Sequence, residues 1–169
     1  MVPLCYDDGR FNPIEDAGPT KGLSMDDIDR SLLSALQDDA RSSYAELGRQ
    51  AGLSAPAVAE RVRRLETSGI VTGYHATVDL KKAGYGIVGF VRLSSPLELA
   101  HQLERLAIET PEVLEFHRVT GTEGFVMKVG VTSIEHLERI VVKFLPYGQT
   151  TTSIVLSSPV TWRKVEFGG

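Results

Sequence analysis

From Ile28 to Leu65 apolar residues recur at helical spacing, and from Ile87 onward runs of apolar strand character alternate with further helical stretches. Ser24 with Asp27 three residues later resembles a capping box, and Ile28, Leu32, Ala35 and Leu36 continue one helix face. Ser43 with Glu46 opens a second helix with Tyr44, Leu47, Gly48 and Ala51 on its apolar side. Gly52-Leu53-Ser54 then reads as a tight turn in which Ser54 caps a third helix. Pro56 falls in that helix's first turn, where its missing N–H costs nothing. Val58, Val62 and Leu65 point inward, and Gly69 is the available stop signal. Residues 70–78, rich in β-branched and aromatic side chains, read as extended structure. Lys81-Lys82-Ala83-Gly84 reads as a hinge.

The second half predicts a strand over Ile87–Leu93, then Ser95, Pro96 and Glu98 as the start of a helix carried by Leu99, Leu103, Leu106 and Ala107. Strands follow at Val113–Val119 and Phe125–Val131, joined by the loop Thr120-Gly121-Thr122-Glu123-Gly124. Thr132 and Glu135 open another helix with Ile134, Leu137, Val141 and Phe144 inward, and Gln149–Leu156 is the last strand. The β-α-β-β-α-β order is the ferredoxin-like arrangement, whose sheet carries helices on one face and leaves the other free to pair. The expected fold class is therefore α+β: an N-terminal three-helix helix-turn-helix domain at 24–80, a hinge at 81–85 and a ferredoxin-like domain at 86–169. Residues 1–23, punctuated by proline and glycine without an apolar period, are expected to be a flexible arm.

Charge sharpens this reading. The net charge is −4, yet residues 1–40 carry −6, residues 41–82 carry +3 and residues 83–169 carry −1. The basic block coincides with the second and third helices, a distribution that points to nucleic acid. In a helix-turn-helix the last helix enters the major groove of double-stranded DNA. With Val58, Val62 and Leu65 inward, its outer face holds Pro56, Ala57, Glu60, Arg63, Arg64 and Thr67, with Arg61 on the flank. The small residues Ala55, Pro56 and Ala57 allow close approach to base edges. Arg63 and Arg64 match guanine or phosphate, and Glu60 matches the cytosine amino group. Ser43 and Ser54 cap helix ends whose free N–H groups suit phosphate, and Arg41 and Arg49 are candidates for backbone contacts.

Other chemistries find less support. The four histidines, at positions 75, 101, 117 and 136, lack metal-ligand spacing, and Cys5 is the sole cysteine. No phosphate loop, nucleophile elbow or paired-carboxylate signature is present, so neither an enzyme nor a cofactor is expected. The longest apolar stretch, residues 83–91, is too short for a membrane span, and no secretory signal is visible; a cytoplasmic location is expected.

The run LSMDDIDRSLLSALQDDARSSYAELGRQAGLSAPAVAERVRRLETSGIVTGYHATVD, from Leu23 to Asp79, resembles the DNA-binding half of the Lrp/AsnC (leucine-responsive, feast/famine) transcription regulators. The Asp-x-x-Asp start, Arg41, the GLS turn, Val58-x-x-Arg61 and the IVTGY run carry the likeness, which continues more loosely through the second half. The resemblance implies a homodimer built through the ferredoxin-like domains, assembling to an octamer, with an amino acid or similar effector bound between subunits. By position the effector loop is Thr120, Gly121, Thr122, Glu123 and Gly124, with Gln149, Thr150, Thr152 and their neighbours Thr151 and Ser153 as further contacts. The loop departs from the family's Gly-acid-aromatic-Asp pattern: Gly121 is kept, Gly124 replaces the second acid, and Glu123 is the available substitute. The alternative implied by a resemblance is a sirohaem decarboxylase-like enzyme on the same two-domain scaffold; it needs histidine and arginine around a large cavity rather than a basic recognition helix.

Overall fold

The computed structural model describes residues 25–167, so the expected arm and Ser24 lie outside the described residues. The chain divides into two units. The first runs to His75 and takes in the segment from Trp162; the second is Ala76–Thr161.

The first unit contains three helices, α1 (Asp27–Asp38), α2 (Tyr44–Ala51) and α3 (Ala55–Thr67). The first helix is capped by Asp26, whose side chain accepts from the Asp29 N–H at 2.8 Å while Asp29 reaches back to the Asp26 N–H. The expected pairing of Ser24 with Asp27 is thus replaced by the same device two residues on. Ser43 with Glu46 caps α2 and Ser54 caps α3, as their spacing predicts. Leu32, Leu36, Leu47, Val58 and Val62 form the buried centre of the bundle. Gly52 closes α2 in the left-handed conformation, with φ of 69°. Residues 70–78 form no strand. Their β-branched side chains favour extended backbone, but a strand is defined by ladder hydrogen bonds to a neighbour. The polypeptide after α3 is held instead by the Tyr74 hydroxyl, which donates to Glu66 at 2.9 Å. Burial and that carboxylate push the phenol up to about 12.

The second unit is a four-stranded antiparallel sheet in the order β2-β3-β1-β4, built from β1 (Ile87–Ser94), β2 (Val113–Arg118), β3 (Phe125–Val131) and β4 (Gln149–Ile154). Helices α4 (Ala100–Ile108) and α5 (Ile134–Phe144) supply the crossovers. Val91, Leu93, Met127 and Val129 pack with Leu103, Leu137, Ile140 and Phe144 in one core, so both helices cover the same face. Two helix starts differ from expectation. Pro96 takes an extended ψ of 143°, so Ser95 cannot cap there; a short 3-10 turn at Leu97–Leu99 precedes α4. Ser133, not Thr132, caps α5; Ile140 is buried and Ile134 is exposed, the reverse of the expectation for these two. The other sheet face carries Phe90 and Arg92 from β1, with Tyr85 and Leu114 lying over Gly130 of β3.

Candidate functional site

The geometry of α2 and α3 depends on a close backbone approach. Gly48 is buried, and a Cβ on it would stand 2.5 Å from the Leu53 carbonyl oxygen. Only a hydrogen at this position lets the tight turn fold against α2. The turn then presents α3 with Val58, Val62 and Leu65 buried and Pro56, Glu60, Arg63, Arg64 and Thr67 exposed.

The two cap-forming serines have different surroundings. The Ser43 N–H and hydroxyl both donate to Glu46, at 2.8 and 2.7 Å. Those two bonds hold the Glu46 carboxyl below its ordinary value. A negative charge therefore already sits at the start of α2, where it opposes a phosphate. The first turn of α3 contains no acidic residue, and Ser54 accepts from the Ala57 N–H at 3.4 Å. That helix end, with Ala55, Pro56 and Ala57 around it, is the one suited to an anion.

The arginines also separate. Arg61 is turned away from the outer face: its Nη1 donates to Asp26 and Asp29, each at 2.7 Å, and Asp29 is only 1% exposed. These contacts join α3 to α1 and direct the guanidinium toward α1. Arg63 forks onto Glu60, with Nε at 3.1 Å from one carboxylate oxygen and Nη2 at 2.6 Å from the other. This contact holds the Glu60 carboxyl down and pushes the guanidinium further up. Arg64 is 44% exposed, with Nη2 at 3.7 Å from Asp29. Arg41 and Arg49 are exposed; Arg49 lines a shallow cavity of about 420 Å³ with Asp39, Ser42, Glu46 and Gln50.

In the second unit, the loop 120–124 closes with the Val119 N–H donating to the Gly124 carbonyl at 2.9 Å, and Gly121 adopts φ of 109°. Glu123 lies 3.4 Å from Arg92 Nε, and Arg92 Nη1 donates to Ser153 at 3.2 Å. Arg92 thus links the loop to β4, a role the sequence reading missed. The signal available was a lone arginine inside the apolar strand Ile87–Leu93. Residues opposite each other across antiparallel strands share a face. Thr151 pairs with Arg92 and Ser153 with Phe90, on the helix-free face. Thr150 pairs with Leu93 and Thr152 with Val91, on the helix side, so the alternation removes both from the polar group around Arg92.

At the opposite end of the sheet, Glu112, His136 and Thr132 form a further polar cluster beside the turn at Ala83-Gly84-Tyr85, lining a cavity of about 280 Å³. His136 Nε2 is 3.0 Å from Glu112 and its Nδ1 is 3.1 Å from Thr132. Among the described residues no group of three metal-ligating side chains occurs, and no helix is long and apolar enough to cross a membrane.

Comparison with known proteins matches residues 25–66 to the AsnC-type helix-turn-helix domain and residues 89–165 to the Lrp/AsnC ligand binding domain. The uncharacterized helix-turn-helix-type transcriptional regulator YezC of Bacillus subtilis is 40% identical over 134 residues, covering 79% of this chain and 95% of that protein. The solved structure of B. subtilis LrpC superposes with a TM-score of 0.78 at 32% identity, covering 83% of this chain and all of the other (100%). Escherichia coli AsnC gives a TM-score of 0.76 at 29% identity, over 84% and 98% of the two chains.

Proposed function

The chain belongs to the Lrp/AsnC family of transcriptional regulators, and on that premise we propose that the outer face of α3 reads operator DNA while Arg92 and the 120–124 loop receive an amino-acid effector. The observation that carries the DNA assignment is the acid-free first turn of α3, followed by exposed Arg63 and Arg64. The helix end suits a phosphate, and the two guanidinium groups suit phosphate or guanine. Arg41 and Arg49 add backbone contacts. A basic, exposed recognition helix favours this reading over a tetrapyrrole-processing enzyme, and the relatives named above are transcriptional regulators. A cytoplasmic location goes with the same role.

For the effector, the Arg92–Glu123 pair offers one charge of each sign at 3.4 Å. A zwitterionic amino acid can exchange partners with it, its carboxylate on Arg92 and its ammonium on Glu123, with Thr122, Thr151 and Ser153 as hydroxyl contacts. This takes the place of the acid that Gly124 lacks. The loop is open to solvent, so a second copy of the chain would complete the enclosure. Tyr85, Phe90 and Leu114 on the helix-free sheet face supply an apolar surface for a homodimer, and dimers would assemble further to an octamer. Effector binding then acts by favouring one assembly, to the extent of its differential affinity.

The test is selection of sites from a random double-stranded DNA pool, repeated with each amino acid present. Enrichment of two-fold symmetric sites, and a shift in affinity with one or a few amino acids, is the expected result. A pool that remains unenriched in every condition overturns the regulator reading.

A further inference from the structure

We propose that residues 162–167 form a strap docked on α1, through which the last strand of the ligand-binding unit is tied to the helix that anchors the recognition helix. The contacts define one register. Both ends of the Gln37 amide pair with the backbone of Val165: the Val165 N–H donates to Oε1 at 2.8 Å, and Nε2 donates to the Val165 carbonyl at 3.2 Å. The side chain thus meets the tail as a neighbouring strand would. One residue earlier, Lys164 Nζ reaches both oxygens of Asp38, at 3.0 and 2.9 Å.

The charge of α1 explains why a lysine belongs there. A helix C-terminus carries partial negative charge and favours a cation. The last turn of α1 has no basic residue and ends instead at Asp38, with Asp39 as its C-cap. Lys164 supplies from the tail the positive charge that this helix end lacks.

Chain connectivity gives the contact its consequence. The Val155 N–H donates to the Val88 carbonyl at 2.8 Å, which ends the pairing of β4 with the sheet. Residues 156–161 carry no helix or strand, and Trp162 already belongs to the first unit. The proposed effector contact Ser153 on β4 is therefore followed nine residues later by the start of the strap at Trp162. At its other end α1 holds Asp29, and Asp26 precedes it; both grip Arg61 of α3. The docked strap consists of polar contacts near the surface, the kind of local structure that opens at low free energy. Docked and undocked tails are thus two states that effector and DNA can bias in opposite directions.

The DNA consequence rests on the regulator reading; docking does not. Trp162 is the sole tryptophan of the chain and lies in the strap, so time-resolved fluorescence anisotropy of the full-length protein reports docking without DNA. Wild type is expected to show Trp162 moving with the folded unit. Lys164→Glu and Asp38→Lys should each release a nanosecond component, and the double exchange should restore the restricted signal. Gln37→Ala, which suits a helix and keeps α1 formed, provides a milder release if a charge reversal impairs folding. Affinity for a selected DNA site should change at least threefold in the single variants and return in the double exchange. A Trp162 already mobile in wild type, or unaffected by all variants, overturns docking; altered mobility with unchanged DNA affinity overturns the coupling. A wild-type protein that selects no DNA site counts against the regulator reading and the coupling, while the Trp162 signal still decides docking.

Discussion

The guanidinium of Arg61 on α3 stands 2.7 Å from the carboxylate of Asp29 on α1, and Asp29 is 1% exposed. A carboxylate removed from water depends on its partners, so deleting one leaves the other's desolvation uncompensated. Arg61→Ala is therefore expected to lower the stability of the three-helix unit by about 1.5–3 kcal/mol, the range for hydrogen bonds to charged groups. The salt dependence of DNA binding should stay unchanged. Urea unfolding and a salt titration separate the two effects; wild-type stability with a flattened salt slope would return Arg61 to the DNA contact set.

Arg63 and Arg64 should behave in the opposite way. Each phosphate contact contributes about 0.9 to the slope of log affinity against log salt, so Arg63→Ala with Arg64→Ala should flatten that slope by nearly two if both meet phosphate. The loss of stability should be smaller than for Arg61→Ala, because Arg63 pairs only with the exposed Glu60 and Arg64 meets the buried Asp29 at the longer distance of 3.7 Å. Glu60→Gln tests the fork from the other side: it removes the carboxylate that occupies Arg63 and should raise affinity for non-specific DNA. Fluorescence titration against random-sequence duplex checks this, and weaker binding would assign Glu60 a direct favourable contact with DNA.

Where local chemistry decides the outcome, the sequence is informative. Ser43, Ser54, Pro56 and Gly52 mark α2 and α3 because a cap, a first-turn proline and a left-handed terminus are each local requirements. The β-α-β-β-α-β succession points to the ferredoxin-like arrangement, although the strand order itself is set by pairing between residues far apart in the chain. The start of α5 is ambiguous in sequence because Thr132 and Ser133 are adjacent and both of capping type; it is Ser133 that accepts from the His136 N–H. Residues 70–78 read as extended structure and carry no ladder, because β-propensity is no substitute for a pairing partner. Within the candidate site, the outward face of α3 was readable from its wheel. The diversion of Arg61 was not, since Asp26 and Asp29 lie more than thirty positions away along the chain. Arg92 escaped notice because its meaning arises only when the sheet brings Glu123 and Ser153 beside it.

Gly48 offers a test of the turn geometry. An added methyl would meet the Leu53 carbonyl oxygen at 2.5 Å, so α2 or the turn has to shift. Overpacking of this kind costs about 1–3 kcal/mol. Alanine's better helix propensity recovers about 1 kcal/mol of that at most. Gly48→Ala should therefore lower stability overall and also weaken DNA binding, although Gly48 is buried on α2 and lies outside the exposed face of α3, because the recognition helix is displaced. Thermal unfolding and a gel-shift titration check both parts; a variant as stable and as tightly bound as wild type would mean that the turn yields without cost.

Glu112 links the second unit to pH. Its own backbone N–H and then His136 hold the carboxyl below the ordinary glutamate value of 4.5, with Lys143 adding a smaller push. A group whose folded value is depressed stabilises the fold above its unfolded value, and that contribution is lost as pH falls through the folded value. Its contribution to the decline in melting temperature should thus begin near pH 4.5 and grow on further acidification. Glu112→Gln removes the titrating group while keeping the shape, so the variant should start from lower stability at pH 6 and lose less between there and pH 3.5. Glu46, Glu60, Glu115 and Glu135 are also held down, and they keep a residual slope in the variant. Differential scanning calorimetry across that window reads the difference directly; parallel curves for the two proteins would show that the Glu112–His136 contact does not contribute to acid sensitivity.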